Sequence, residues 1–305
     1  MEKRRIGSLE VSLVGIGCNN FGWRTDAAGT AAVVDAALEA GINVFDTADV
    51  YGSGQSEEFL GRALQGRRNQ AIIATKFGMK MGEGMEGTRP EYLRKALDAS
   101  LKRLGVETID LYQIHGPDPT TPIAETLGAL DEAVKAGKVR EIGCSNFSAQ
   151  QLIEAAAAAR PGTAKFVSVQ NEYSLFHREP ETDVLFECSR ERLSFLPYFP
   201  LANGLLSGKY RKGQPFPESS RAKDGFGPKV FTEENMNRME AFAGFAESRG
   251  HTLLDLAFSW LAARREISSV IAGAKTADQV RANASAASWR LTQADLTDID
   301  RIHKA

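Results

Sequence analysis

The sequence predicts an α/β protein built on a parallel sheet, of the size and rhythm of a (β/α)8 barrel. Short β-rich apolar runs alternate with amphipathic helical stretches along the chain, and parallel strands need such crossover connections. About eight strand–helix units fit into 305 residues, an ordinary length for that barrel. Polar side chains recur at the C-terminal ends of successive strands, the end where barrel sites are built. A doubly wound sheet shows the same alternation, which alone does not separate the two.

The elements follow in order. Ile6 to Val14 reads as a hairpin, turning at Gly7-Ser8, that leads into a first strand. Asn43 to Phe45, Ala71 to Thr75, Ile109 to Ile114, Val139 to Cys144, Phe166 to Val169, Ser194 to Tyr198 and Ser269 to Ile271 read as buried strands. Between them, Thr30 to Ala40 gathers Val33, Val34, Ala37 and Leu38 on one helical face, and Gly41 ends it. Pro90 opens a helix continued by Leu93, Leu97, Leu101 and Leu104. Pro122 opens another, with Ile123, Leu127, Leu130 and Val134 apolar and Gly137 ending it. Ser148 caps the helix of Leu152 and Ile153. Thr232 to Ser248, Thr252 to Ala262, Ala277 to Ala286 and Thr292 to Ile302 add the C-terminal helices. No linker or low-complexity tract interrupts residues 1–305, which read as one domain. Gly208 to Lys229, rich in Gly, Pro, Ser and charge, reads as a long functional loop.

Composition excludes several functions. With 37 basic and 39 acidic residues, the net charge is −2, so neither a nucleic-acid face nor a polybasic membrane patch is expected. The sequence is 43% hydrophobic and 25% charged, which is globular and not disordered. The three cysteines, Cys18, Cys144 and Cys188, make no disulfide framework, and a reducing, cytoplasmic setting is expected. No signal-peptide or membrane-spanning stretch is read. His177, His251 and His303 lack metal-ligand spacing, and no metal site is expected.

The strand ends carry the chemistry. Asp46 follows Val44-Phe45, Lys76 follows Ile72 to Thr75, and His115 follows Ile114. Ser145 and Asn146 follow Ile142-Gly143-Cys144, and Gln170 follows Val167-Ser168-Val169. On a barrel these would face one mouth. A tyrosine is a poor proton carrier at neutral pH unless its pKa is lowered, and an adjacent ammonium lowers it. Lys76 can supply that charge, Asp46 can hold Lys76, and Tyr51 lies five residues past Asp46 in a loop able to fold back. His115 can donate a hydrogen bond to a carbonyl oxygen. Such a set protonates a carbonyl oxygen while a cofactor, nicotinamide or flavin, supplies hydride. Taken singly, Asp46 and Lys76 are equally a buried structural ion pair, and His115 a structural histidine. Asp49 has no assigned role beyond pairing with a loop amide.

Phe45-Asp46-Thr47-Ala48-Asp49-Val50-Tyr51-Gly52 and Gln55-Ser56-Glu57-Glu58-Phe59-Leu60-Gly61-Arg62-Ala63-Leu64 resemble the aldo-keto reductases. So do Ala74-Thr75-Lys76-Phe77-Gly78, Asp110-Leu111-Tyr112-Gln113-Ile114-His115 and Gly143-Cys144-Ser145-Asn146-Phe147, in the same order. The resemblance runs from Gly15 to about Asn283. It implies a single (β/α)8 TIM barrel with an N-terminal hairpin, interconverting carbonyl and alcohol with NADP(H), NAD(H) being the alternative. Asp46, Tyr51, Lys76 and His115 fall on its catalytic tetrad, with the tyrosine as proton donor and acceptor. Ser145, Asn146 and Gln170 fall on carboxamide-binding positions, and Tyr198 on the ring that stacks on nicotinamide. Leu201 to Lys209, with Gly204 and Gly208, resembles the pyrophosphate loop. Gly273, Lys275, Gln279 and Asn283 resemble the adenosine site. Many members carry arginine where Gln279 stands, so Lys275 would have to supply the positive charge as a point rather than a fork.

Two other readings stay open at this stage. One is a nucleotide-binding regulatory subunit or sensor with little turnover. The other is a phosphate-binding lyase with Lys76 as a Schiff-base lysine. The substrate, an aldehyde, ketone or sugar, would be chosen by Phe77 to Thr88, His115 to Thr121, Gly208 to Lys229 and the C-terminal tail.

Overall fold

The structure, a computed structural model, describes residues 1–217 and 227–304. Part of the loop Gly208 to Lys229, namely residues 218–226, lies outside them. A two-stranded antiparallel hairpin, β1 (Lys3–Ile6) and β2 (Leu9–Ser12), opens the chain. Eight parallel strands follow: β3 (Val14–Gly17), β4 (Val44–Asp46), β5 (Ile72–Phe77), β6 (Ile109–Ile114), β7 (Val139–Ser145), β8 (Phe166–Glu172), β9 (Ser194–Tyr198) and β10 (Val270–Gly273). They pair in the order β10-β3-β4-β5-β6-β7-β8-β9. A parallel bridge from Phe195 to Ile267 brings β9 against the segment leading into β10, which closes the ring and excludes the open doubly wound sheet.

Around it run α1 (Ala27–Glu39), α2 (Gln55–Ala63), α3 (Pro90–Leu104), α4 (Ile123–Lys135), α5 (Ala149–Ala158) and α6 (Val184–Glu191). The short α7 (Gly227–Val230) precedes α8 (Glu233–Glu247), α9 (Leu253–Ala262), α10 (Ala277–Ala286) and α11 (Gln293–Lys304). The expected start signals operate. Pro90 stands at the first position of α3, which stops at Gly105 with φ +66°. Ser148 and Gln151 form a capping box on α5, as do Thr252 and Asp255 on α9. The apolar stripe of α3 is buried through Leu93, Leu97 and Leu104, each fully buried leucine being worth about 2 kcal/mol. Three helices, α2, α6 and the short α7, are not expected from the sequence, which reads most of α7 as part of the loop Gly208 to Lys229.

The hairpin sets the polarity of the barrel. Ile6, Leu9 and Val11 pack against Val44, Ala74, Leu111, Leu196 and Ile271, which are residues of the barrel strands themselves. This plugs one end. The Arg4 guanidinium donates to the carbonyls of Ala262, Arg264 and Ile267, tying the plug to the last strand's approach. At the other end, adjacent strands place polar residues in register. Lys76 is opposite Gln113, Ser145 opposite Gln170, and Asp46 opposite Gly17.

Candidate active site

Asp46 ends β4, Lys76 is the penultimate residue of β5, and His115 directly follows β6. Tyr51 reaches them by a sharp reversal. Gly52, Ser53 and Gly54 have φ of +57°, +54° and +94°, three left-handed residues in a row that turn the chain into α2. Glycine takes this backbone without strain, and Ser53 does not. The Tyr51 ring then lies edge-on to His115, with ring centroids 5.7 Å apart, and 5.4 Å from Lys76 Nζ.

Lys76 Nζ donates to Asp46 Oδ2 at 2.6 Å and to the carbonyl of Thr47 at 3.0 Å. Asp46 Oδ1 accepts from Gln170 Nε2 at 2.8 Å and Gln113 Nε2 at 3.3 Å. Burial works against the Lys76 ammonium, but Asp46 and Tyr51 outweigh it and hold its pKa above the ordinary lysine value. Burial, with the Lys76 charge added, pushes His115 down to about 3, so its imidazole is neutral at neutral pH. Its Nδ1 has no hydrogen-bond partner among the described residues.

One expectation is corrected. Lys76 does favour the Tyr51 phenolate, but burial acts more strongly in the other direction, and the phenol stays above its ordinary pKa. Taking the ring out of water costs the phenolate more than one ammonium returns.

Next to this set, a cavity of about 600 Å³ runs across the mouth, a volume ordinary for a small-molecule site. Asp46, Tyr51 and His115 line it. Ser145, Asn146, Gln170 and Tyr198 continue the wall, then Leu201, Gly204 and Lys209, then Gly273, Lys275, Gln279 and Asn283. Lys76 stands behind the lining, reaching it through Asp46.

The walls are locally fixed. Asn146, held at φ +62°, donates from Nδ2 to the carbonyl of His115 at 2.9 Å and accepts from the Tyr198 hydroxyl at 2.8 Å. Ser145 Oγ donates to the carbonyl of Gln170 at 2.7 Å. Gln279 Oε1 accepts from the Lys275 backbone N–H at 2.8 Å. A Cβ on Gly273 would come within 3.2 Å of Asn20 Nδ2, a tight contact that would need Asn20 to shift slightly. The lining's amides, hydroxyls and two lysines are groups that a dinucleotide's carboxamide and phosphates would call for. Trp23 is exposed and absent from the lining, and Cys18 is buried.

Sequence reasoning did not single out Gln113 or Asn203. Gln113 sits in an apolar run, and only the register shows that it faces Asp46. Asn203, at φ +56°, lines the cavity from an irregular turn with no sequence signature of its own.

A family model described as the aldo/keto reductase family matches residues 13–304. The chain therefore belongs to the aldo-keto reductases, oxidoreductases that act on carbonyl compounds and sugar alcohols with nicotinamide cofactors. Among its relatives, the aldo-keto reductase yakc of Schizosaccharomyces pombe, whose name specifies NADP(+), is 36% identical over 97% of this chain and 89% of that protein. The L-glyceraldehyde 3-phosphate reductase of Escherichia coli is 33% identical over 88% of this chain and 81% of its own length. Of solved structures, the glycerol dehydrogenase of Gluconobacter oxydans superposes with a TM-score of 0.85 at 33% identity, covering 98% of this chain and 94% of that one. No helix among the described residues is long and apolar enough to cross a membrane, and no group of side chains there is arranged to hold a metal.

Proposed function

We propose that this enzyme interconverts an aldehyde, ketone or sugar carbonyl with its alcohol, using Tyr51 as the proton donor in reduction and acceptor in oxidation. The observation that carries this reading is the convergence of Tyr51, His115 and Asp46 on one cavity wall, with Lys76 held behind it by Asp46. A nicotinamide cofactor bound along Ser145, Asn146, Gln170, Tyr198 and the Leu201 to Lys209 turn would supply or take up the hydride. The remaining work belongs to the side chains. In reduction, the neutral His115 imidazole donates a hydrogen bond to the carbonyl oxygen and polarises it. The Tyr51 O–H bond breaks and its proton passes to that oxygen as the carbon is reduced. The phenolate left behind faces the Lys76 ammonium, which favours it in the low-dielectric interior. Oxidation runs these steps in reverse.

Lys209 and Lys275 are the cations of the cavity lining among the described residues. With Gln279 turned onto the Lys275 N–H, the Lys275 ammonium is the group for a 2′-phosphate, which favours NADP(H) over NAD(H). Titration with NADPH and NADH, followed by quenching of tryptophan fluorescence, tests this preference. Lys275→Ala should narrow the difference between the two dissociation constants. Tyr51→Phe should bind cofactor as before and lose turnover. A Tyr51→Phe variant with near-normal turnover refutes the assignment of the proton donor.

A further inference from the structure

Behind the loop that carries Tyr51 lies a second cavity, of about 540 Å³, between the segment 81–89 and α3. Its apolar wall is Met81, Met85, Tyr92, Ala96 and Ala99, and Asp49 stands at its inner end. Asp49 is 2% exposed, and its Oδ1 has no hydrogen-bond partner among the described residues. The pairing with a loop amide expected for it leaves that oxygen unsatisfied. A buried carboxylate oxygen without a partner is costly, and native proteins rarely retain one without a use.

The charge around it is unbalanced. Arg103 is held by Glu57 at 2.6 Å, so its charge is already answered within α2 and α3. Lys76, the other cation that acts on Asp49, is paired with Asp46, so an ionised Asp49 would join Glu57 against the single Arg103 guanidinium. At the rim, Glu83 and Glu91 offset Arg89 and Lys95. The negative charge that an ionised Asp49 adds therefore lies at the inner end, beside the apolar wall. Burial, with Glu57 adjacent, raises Asp49 to about 7, so a cation brought against it would also hold it ionised. Met79 lines the first cavity and Met81 and Met85 the second, on a loop closed by Met81 N–H to Met85 carbonyl and Gly87 N–H to Gly78 carbonyl.

We propose that this cavity is a second binding site, for a compact organic monocation whose ammonium meets Asp49 and whose apolar body lies against Met81, Met85 and Tyr92. It does not depend on which carbonyl the enzyme reduces or which nicotinamide it prefers.

The test uses the full chain at neutral pH with three probes of one shape, benzylamine, benzyl alcohol and benzoate, titrated by calorimetry. Benzylamine should bind saturably, at least about tenfold more tightly than benzyl alcohol, with benzoate weakest. Asp49→Asn should erase the preference for the amine. Ala99→Phe, which fills the cavity from a half-buried helix position and keeps the Asp49 carboxyl, should abolish binding of all three. Equal binding of amine and alcohol, amine binding untouched by both substitutions, or no binding of the amine at all would each overturn the proposal. A purely structural Asp49 would alter stability in Asp49→Asn and leave the order of the probes unchanged. NADPH titration of the same samples reports separately on the first cavity.

Discussion

The Lys76 ammonium lies 2.6 Å from Asp46 Oδ2, with 1% and 4% of the two side chains exposed. Water does not screen a pair at that depth, and each charge would be costly alone. Asp46→Asn keeps the size and removes the charge, leaving the ammonium without its counter-ion. Stability in urea should fall by about 3–5 kcal/mol, the range for breaking one side of a buried pair. Turnover should fall with it, because Lys76 can no longer be both charged and fixed beside Tyr51. Unchanged turnover in a folded variant would remove Asp46 from the proton chain.

Gln113 makes a subtler contribution. It is fully buried, and its Nε2 donates to Asp46 Oδ1 while Gln170 fills the same oxygen from the other side. Gln113→Leu should free Asp46 to rotate, and the loss of one hydrogen bond to a charged group is worth about 1.5–3 kcal/mol. Turnover number should drop by about tenfold to a hundredfold, with the dissociation constant for NADPH unmoved. A change confined to cofactor affinity would assign Gln113 to binding instead.

His115 sets a pH signature. Its pKa is lowered from the ordinary value near 6.5 to about 3. Between these values the unfolded chain takes up a proton that the folded protein refuses, so stability falls as pH drops from about 6.5 toward 3. His115→Asn should flatten that slope by up to about 1.4 kcal/mol per pH unit in denaturant titrations. In kinetics the same burial predicts no ionisation of His115 between pH 5 and 8. A break in kcat/KM near the ordinary histidine value that disappears in His115→Asn would contradict it.

Asp118 fastens two of the expected specificity loops together. Its Oδ2 accepts from the Thr88 N–H at 2.7 Å and Thr121 Oγ1 at 2.8 Å, and its Oδ1 from Thr120 Oγ1 at 2.6 Å. Burial acts upward on this carboxyl, but the hydrogen bonds from Thr120, Thr88 and Thr121 prevail and hold it below the ordinary range. The stabilisation is thus complete above the ordinary carboxylate value of about 4 and fades as pH falls below it. Asp118→Ala should melt earlier than the parent at pH 7, and the two melting temperatures should converge in acid. KM for substrate should rise more than turnover falls. Parallel melting curves at every pH would show that the carboxylate holds nothing.

Much of the fold was legible because its signals are local. Buried strands read as short apolar runs, and Pro90, Ser148 and Thr252 marked helix starts by chemistry that needs no tertiary information. The candidate tetrad was legible for a related reason, since Asp46, Lys76 and His115 stand at or next to strand ends, while Tyr51, five residues past Asp46, was placed by the resemblance. Three helices escaped, the one-turn α7 among them. In α6 the stripe is blurred by Phe186, which is 72% exposed. In α2 the fit depends on a distant partner, because a Cβ on Gly61 would stand 2.3 Å from the Leu104 carbonyl oxygen. The charge surplus at Asp49 was equally invisible, as Glu57 and Arg103 are brought beside it by α2 and α3. Burial reversed the net shift on Tyr51, and depth is a property of the folded mouth that no spacing encodes.

The Arg4 guanidinium grips carbonyls about 260 residues further along the chain, at Ala262, Arg264 and Ile267. A nascent chain emerges N-terminus first, so this hairpin must wait until residues 262–267 have been made before it finds that seat. Until then Ile6, Leu9 and Val11 have no lid to complete, and the ring has no last stave. Closure is a late, long-range event whose loop entropy is met all at once, of the kind that slows folding and leaves apolar edges uncovered meanwhile. The stopper that fixes which end of the barrel is open is also what makes the first dozen residues among the last to settle.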